Sequence, residues 1–198
     1  MTSCRQLEVR YEDQTPHKWC VPLTEDVFGT LMSKGSPTVQ TIFGDGSLFS
    51  PWLFGKFFDP SDAFPLWDFA SDALLSKIRS SSSQSTVDWL QTGSDYVLKA
   101  DLPGVGKGSV QVFGEQGKVV EITGLWKQLK ESKTKDWRTG HWWEHGYVRR
   151  LELPENADWR KIEAYLSNDV FLEIKIPKKP LECVNAQGSA VGIEETDE

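Results

Sequence analysis

Cysteine is scarce in this chain: Cys4, Cys20 and Cys183 are the only three among 198 residues. Their number is odd, and no two share the short spacing of a metal or redox pair. A disulfide framework is therefore not expected, and a reducing compartment is. Long apolar runs are also missing, since none approaches the ~20 residues of a membrane span. The first thirteen residues are mixed and charged rather than basic then apolar, unlike a secretion signal. The acidic end, Glu194-Glu195-Thr196-Asp197-Glu198, matches no retention or peroxisomal address. A cytoplasmic location is the resulting expectation. Positive charge is not in excess either. The net charge is -7, with residues 86–178 balanced and residues 179–198 acidic. Neither a nucleic-acid nor an anionic-membrane partner fits that balance. The acidic tail suits a self-associating protein that must stay soluble.

Catalytic signatures are equally thin. Gly104-Val105-Gly106-Lys107-Gly108-Ser109 lacks the spacing of a phosphate loop, and the pattern after it is strand-like rather than helical. His141-Trp142-Trp143-Glu144-His145 matches H-x-x-E-H, a zinc-peptidase pattern. That chemistry needs both histidines on one helical face. Gly140 and Gly146 bracket the motif, and the segment reads as loop or edge strand. In a strand the two histidines would stand about 13 Å apart, too far for one tetrahedral zinc. Serine, histidine and aspartate occur without a nucleophile elbow. The expectation is a non-enzyme with no cofactor and no metal.

Aromatic residues, by contrast, are abundant. Residues 28–69 hold Phe28, Phe43, Phe49, Phe54, Phe57, Phe58, Phe64 and Phe69, with Trp52 and Trp67, spaced by Gly, Pro, Ser and Asp. Such a stretch has too many aromatics for ordinary disorder and too many breakers for a regular domain. Residues 1–85 are therefore expected to form a largely irregular arm. A helix is predicted over residues 62–79, with Pro65 in its first turn and Leu66, Phe69, Ala70, Ala73, Leu74 and Ile78 as its stripe. A serine-rich linker follows at residues 80–85.

Beyond residue 85 the apolar period becomes 2. Tyr96, Leu98, Ala100 and Leu102 alternate, as do Val110 and Val112, Val120 and Ile122, Ile162, Ala164 and Leu166, and Leu172, Ile174 and Ile176. Pro103-Gly104, Gly117-Lys118 and Ser167-Asn168-Asp169 punctuate them as turns. About seven short strands over residues 86–178 predict an all-β, immunoglobulin-like antiparallel β-sandwich, followed by a flexible acidic extension over residues 179–198.

Several segments, in order, resemble a known family. Val87-Asp88-Trp89 and Tyr96-Val97-Leu98-Lys99-Ala100-Asp101-Leu102-Pro103-Gly104 are similar to the opening of plant α-crystallin domains. Ile122-Thr123-Gly124 resembles the strand before that family's long loop, and Tyr147-Val148-Arg149-Arg150-Leu151-Glu152-Leu153-Pro154-Glu155 its most recognisable segment. The chain thus resembles the plant small heat shock proteins, with the minor cytosolic class VI type as the nearest likeness. Asp169 stands where the family usually has Gly, and Phe171 where it has Leu. Asp tolerates a left-handed backbone, so the turn is expected to survive. Phe171 is expected to reshape the neighbouring groove.

The resemblance implies an ATP-independent holdase chaperone. It self-associates as a homo-oligomer built from dimers and binds non-native client proteins under heat and related stress. The alternative is a non-enzymatic co-chaperone or partner-binding adaptor on the same sandwich. By resemblance, residues 137–143 form a strand exchanged onto a partner near Val87 to Leu90, and Arg149 meets a carboxylate at the dimer interface with Trp137, Trp142, Trp143 and Trp89. Val191 and Ile193 form a C-terminal plug for a groove lined by Val110, Val112, Ile162, Ala164 and Leu166. Phe43, Phe49, Trp52, Phe54, Phe57, Phe58, Phe64, Trp67 and Phe69 are the candidate client-binding aromatics, either free for clients or buried within the oligomer.

Overall fold

The computed structural model describes residues 3–12, 21–53, 56–65, 87–102, 109–116, 118–126, 137–138 and 140–180. Two five-stranded sheets face each other. In one, β1 (Cys4–Leu7), β9 (Glu163–Ser167), β10 (Phe171–Pro177), β5 (Asp95–Asp101) and β4 (Val87–Gln91) run side by side in that order. In the other the order is β2 (Val9–Glu12), β6 (Val110–Glu115), β7 (Val119–Leu125), β8 (Gly146–Glu152) and β3 (Phe64–Pro65). Alternation decides the facing. Tyr96, Leu98 and Ala100 of β5 and Leu172, Ile174 and Ile176 of β10 are buried, while the residues between them are half-exposed. Val112, Val120, Ile122 and Leu151 meet them from the second sheet, fully buried.

The strands of the sandwich pair antiparallel, as the alternation predicts. Two parallel pairings, β2 with β6 and β3 with β8, come from the N-terminal arm. That arm also holds two helices absent from the sequence expectation. Helix α1 (Glu25–Lys34) has Glu25 and Asp26 in its first turn and Lys34 in its last, complementing the helix dipole. Helix α2 (Pro37–Ile42) starts from Ser36, whose hydroxyl accepts from the Val39 amide, with Pro37 as first residue. The helix predicted over residues 62–79 meets a short strand at Phe64–Pro65, where the backbone bonds to Leu151 and Glu152 instead. Residues 66–79 and the linker at 80–85 lie outside the described residues, as do Phe54, Trp67, Phe69, Val191 and Ile193.

The β9–β10 turn keeps its geometry without glycine. Asn168 and Asp169 both take positive φ, 53° and 58°. Asp169 thus adopts the left-handed backbone expected of it. Phe171 differs from expectation. It lies on the half-exposed outer face with Glu173 and Lys175, away from Ala164 and Leu166, so it does not reshape the groove.

Gly124 and Gly146, on the paired strands β7 and β8, have no room for a side chain. The Tyr147 ring lies against Gly124 on the neighbouring strand, and a Cβ there would overlap the ring. Gly124→Ala should therefore destabilise the fold by about 1–3 kcal/mol through overpacking. A thermal melt lowered by several degrees with native circular dichroism is the expected result.

Candidate functional site

Arg149 and Arg150 are neighbours on β8 and so point to opposite faces. Both are buried, at 6% and 3% exposure, and each must find partners. Arg149 points inward with Tyr147 and Leu151. Its Nε donates to the Leu48 carbonyl at 2.9 Å and its Nη2 to the Ser50 carbonyl at 2.6 Å. The Phe58 ring lies 5.1 Å from the guanidinium, at cation–π distance. Within the single chain these carbonyl dipoles of the arm are its partners, whereas the carboxylate expected for Arg149 belongs to a dimer interface. Burial lowers its pKa to about 10, which leaves it charged at neutral pH.

Arg150 takes the carboxylates. Its Nη2 donates to Glu115 Oε2 at 2.9 Å, and Nε stands 3.7 Å from Glu121 Oε2. Arg138 reaches Glu121 Oε1 from the long connection at 2.6 Å and lies over the Phe113 ring. Two acids and two arginines thus share the outer face of β6, β7 and β8. None was singled out from sequence, although the adjacent arginines, facing oppositely, were a usable signal. Burial pushes the Glu121 pKa up to about 7, against the pull of Arg138.

Among the described residues of the segment expected to be exchanged, no strand forms within the single chain. Trp137 and Arg138 form a turn, and Trp142–Glu144 is a single 3-10 turn. Its physical reason is local anchoring. Trp142 and Trp143 are buried, the indole of Trp142 donates to the Val21 carbonyl at 3.1 Å, and that of Trp126 to the Trp143 carbonyl at 3.0 Å. His141 stacks on Trp143 and contacts Glu144 at 3.3 Å. Among the described residues no cluster of three or more metal-ligating side chains occurs. Trp89 is buried on β4, stacked on Tyr96 at 5.4 Å.

The arm aromatics divide. Phe43, Phe49 and Phe64 are buried, and Phe57 and Phe58 are half-buried against the core. Phe49 packs on Tyr147 at 4.5 Å, and Phe43 on Trp126 at 5.9 Å. Trp52 is 41% exposed and meets Phe28 and Phe57 edge to face. Val27 of α1 is also exposed, and with Val21, Leu31 and Trp143 it borders an open, mostly apolar cleft of about 550 Å³.

Val110, Val112, Ile162, Ala164 and Leu166, the expected groove, are all buried. The chain's own N-terminal segment crosses their edges. Leu7 pairs with Ala164 in β9, and Val9 with Val112 in β6. Tyr11 donates its hydroxyl to the Ile162 carbonyl at 2.7 Å.

Two outcomes test these contacts. Arg149→Ala removes a donor from the Leu48 and Ser50 carbonyls, the second of which keeps the Leu53 amide, at a cost of about 1–3 kcal/mol. Limited proteolysis should then cut residues 47–53 faster while the sandwich persists. Glu121 holds its proton more tightly folded than unfolded, so its stabilising contribution is complete below the ordinary value of 4.5 and lost as pH rises through about 7. The urea midpoint should fall across that window, and Glu121→Gln should flatten the slope.

Residues 88–192 match the Hsp20/alpha crystallin family model. The chain is 56% identical over 178 residues to the 21.7 kDa class VI heat shock protein of Arabidopsis thaliana, covering 87% of this chain and 92% of that one. It is 45% identical over 188 residues to the 22.3 kDa class VI heat shock protein of rice, Oryza sativa subsp. japonica, covering 88% and 92%. Among solved structures, a small heat-shock protein from Xylella fastidiosa matches at 29% identity, covering 48% of this chain and 84% of that one, with a TM-score of 0.35. With the family model spanning more than half the chain and these relatives nearly all of it, the chain belongs to the Hsp20/alpha crystallin family and is a plant small heat shock protein of the class VI type.

Proposed function

We propose that this chaperone works as an ATP-independent holdase: it binds non-native proteins through apolar surface of its arm and limits their aggregation under heat and related stress. Self-association and client binding belong to its family, and it is not an enzyme. The observation that carries the mechanism is the arm's division into anchored and exposed aromatics. Val27 presents apolar area at the cleft with Leu31 and Trp143, and Trp52 presents more where it packs on Phe28 and Phe57, ready for an unfolded segment. Phe43, Phe49, Phe57, Phe58 and Phe64 form a reserve that becomes available when the arm lifts. Aromatic side chains suit varied clients because they supply area without demanding one geometry.

In the same reading, dimers are the building unit. β4 ends its sheet with Leu90 43% exposed and Trp89 at its centre, an edge suited to strand addition from a second copy. Trp137, Trp142, Trp143 and Arg149 join that interface once the arm is displaced from them. Val191 and Ile193 dock into the groove of Val110, Val112, Ile162, Ala164 and Leu166 on a neighbouring copy. Sparse cysteine supports a cytoplasmic site of action, and no helix among the described residues is long and apolar enough to cross a membrane. The charge balance gives no footprint for nucleic acid or an anionic membrane.

The full chain should suppress light scattering from several unrelated heated proteins, without nucleotide, at near-stoichiometric ratios. Trp52→Ser with Val27→Ser should raise the amount needed for half protection several-fold and leave the melting temperature unchanged. Protection of no general client, with tight binding of one defined protein, would instead assign an adaptor.

A further inference from the structure

The groove between β6 and β9 is already occupied in the single chain. Residues 4–12 run as β1 along β9 and then as β2 along β6, bridging the edges of both sheets. At the crossing stand Leu7-Glu8-Val9, two apolar residues at i and i+2 that face the same way. Leu7 is buried and Val9 packs half-buried on the core, while Arg5, Gln6, Glu8 and Arg10 face solvent. Val191-Gly192-Ile193 has the same apolar-x-apolar form. One groove therefore faces two segments of like chemistry within one sequence.

We propose that residues 4–12 act as an internal plug, which competes with the C-terminal segment of a neighbouring copy for the β6–β9 groove and so holds back assembly. This rests on the proposed docking of Val191 and Ile193. The geometry favours the internal occupant. Val21 is tied to the body through the Trp142 indole, and only eight residues, 13–20, separate it from β2. So short a tether gives the plug a local concentration in the millimolar range, far above that of a neighbour's tail in dilute solution. The plug's hold is also limited. It has two four-residue ladders, two apolar anchors and the Tyr11 hydroxyl, and a cavity of about 230 Å³ remains beside Leu7, Val110 and Val112. An edge element with so few buried contacts opens before the core strands do. Crowding of copies, or heat, then tips the groove toward the tail.

Cys4 supplies the test. It carries an exposed free thiol and is the cross-strand partner of Ser167. Antiparallel partners stand about 4.5–5.5 Å apart at Cα, within disulfide reach. In the full chain with Cys20→Ser and Cys183→Ser, Ser167→Cys should oxidise to a bond within one chain, seen as a monomer on a non-reducing gel. A fluorescent peptide of residues 186–198 should bind the oxidised form at least tenfold more weakly than the reduced form. Light scattering should show smaller assemblies on oxidation. Leu7→Glu with Val9→Glu should bind the peptide most tightly, giving the same reading without a cross-link. Equal peptide affinity for oxidised and reduced chains would overturn the competition while leaving C-terminal docking in place. Peptide binding to no form, with a peptide of residues 3–12 binding the Leu7→Glu, Val9→Glu chain, would overturn the proposal through failure of the docking reading. A bond that forms only between chains, or not at all, would remove the internal plug itself.

Discussion

An open sheet edge carries a row of amide and carbonyl groups directed at whatever comes near, and a sandwich of two open sheets has four such edges. The fold depends on how this chain disposes of them. Its N-terminal segment takes two, because β1 lengthens one sheet and β2 the other without leaving the molecule. β3 pairs with the third beside Leu151 and Glu152. The fourth edge is β4. A protein that must associate without aggregating needs this asymmetry. One end of the sandwich is closed by a segment that can be released, and the other bears the exposed Leu90.

Buried charge sets the stiffness of the arm. A guanidinium within the core is costly unless its donors are satisfied, and Arg149 is satisfied only while Leu48 and Ser50 lie against it. The arm is thus held by an interaction whose loss leaves a cation in an apolar site, and docking here approaches all or none. On the opposite face Arg138 ties the long connection to Glu121 in the same manner. Arg150, beside Arg149 on β8, also reaches the arm, donating to the Ser61 carbonyl at 2.8 Å, so both faces of one strand hold the arm to the sheet.

The β-domain was legible because its strands alternate and its turns carry their own residues: Ser167-Asn168-Asp169 marked a turn, and Tyr96, Leu98 and Ala100 marked a face. The arm was harder to read. Thr24-Glu25-Asp26 and Ser36-Pro37 were ordinary helix starts, but α1 and α2 are short, and their stripes are hidden among aromatics without a period. Residues 62–79 show a helical stripe, yet Phe64 and Pro65 answer the edge of β8. Tertiary pairing there overrides local preference. The partner of Arg149 was not legible, because a carbonyl acceptor leaves no mark on residue type. The groove was readable as apolar positions on and beside two strands, but Cys4 to Glu12 has only Leu7 and Val9 to announce what fills it.

The two apolar resources of the molecule are mechanically joined. Between the plug and α1 lies Val21, whose carbonyl accepts a hydrogen bond from the Trp142 indole, and Trp143 beside it borders the cleft against α1. Displacing the plug frees β1 and β2 but leaves that anchor, so the groove can open while the aromatic reserve stays packed. Lifting the arm from Arg149 instead exposes Phe49 and Phe58 without disturbing β1 or β2, which pair with other strands. In the proposed mechanism, assembly and client capture therefore have separate triggers in one arm. The bond at Val21 keeps them apart, and a change that broke it would join them into a single opening.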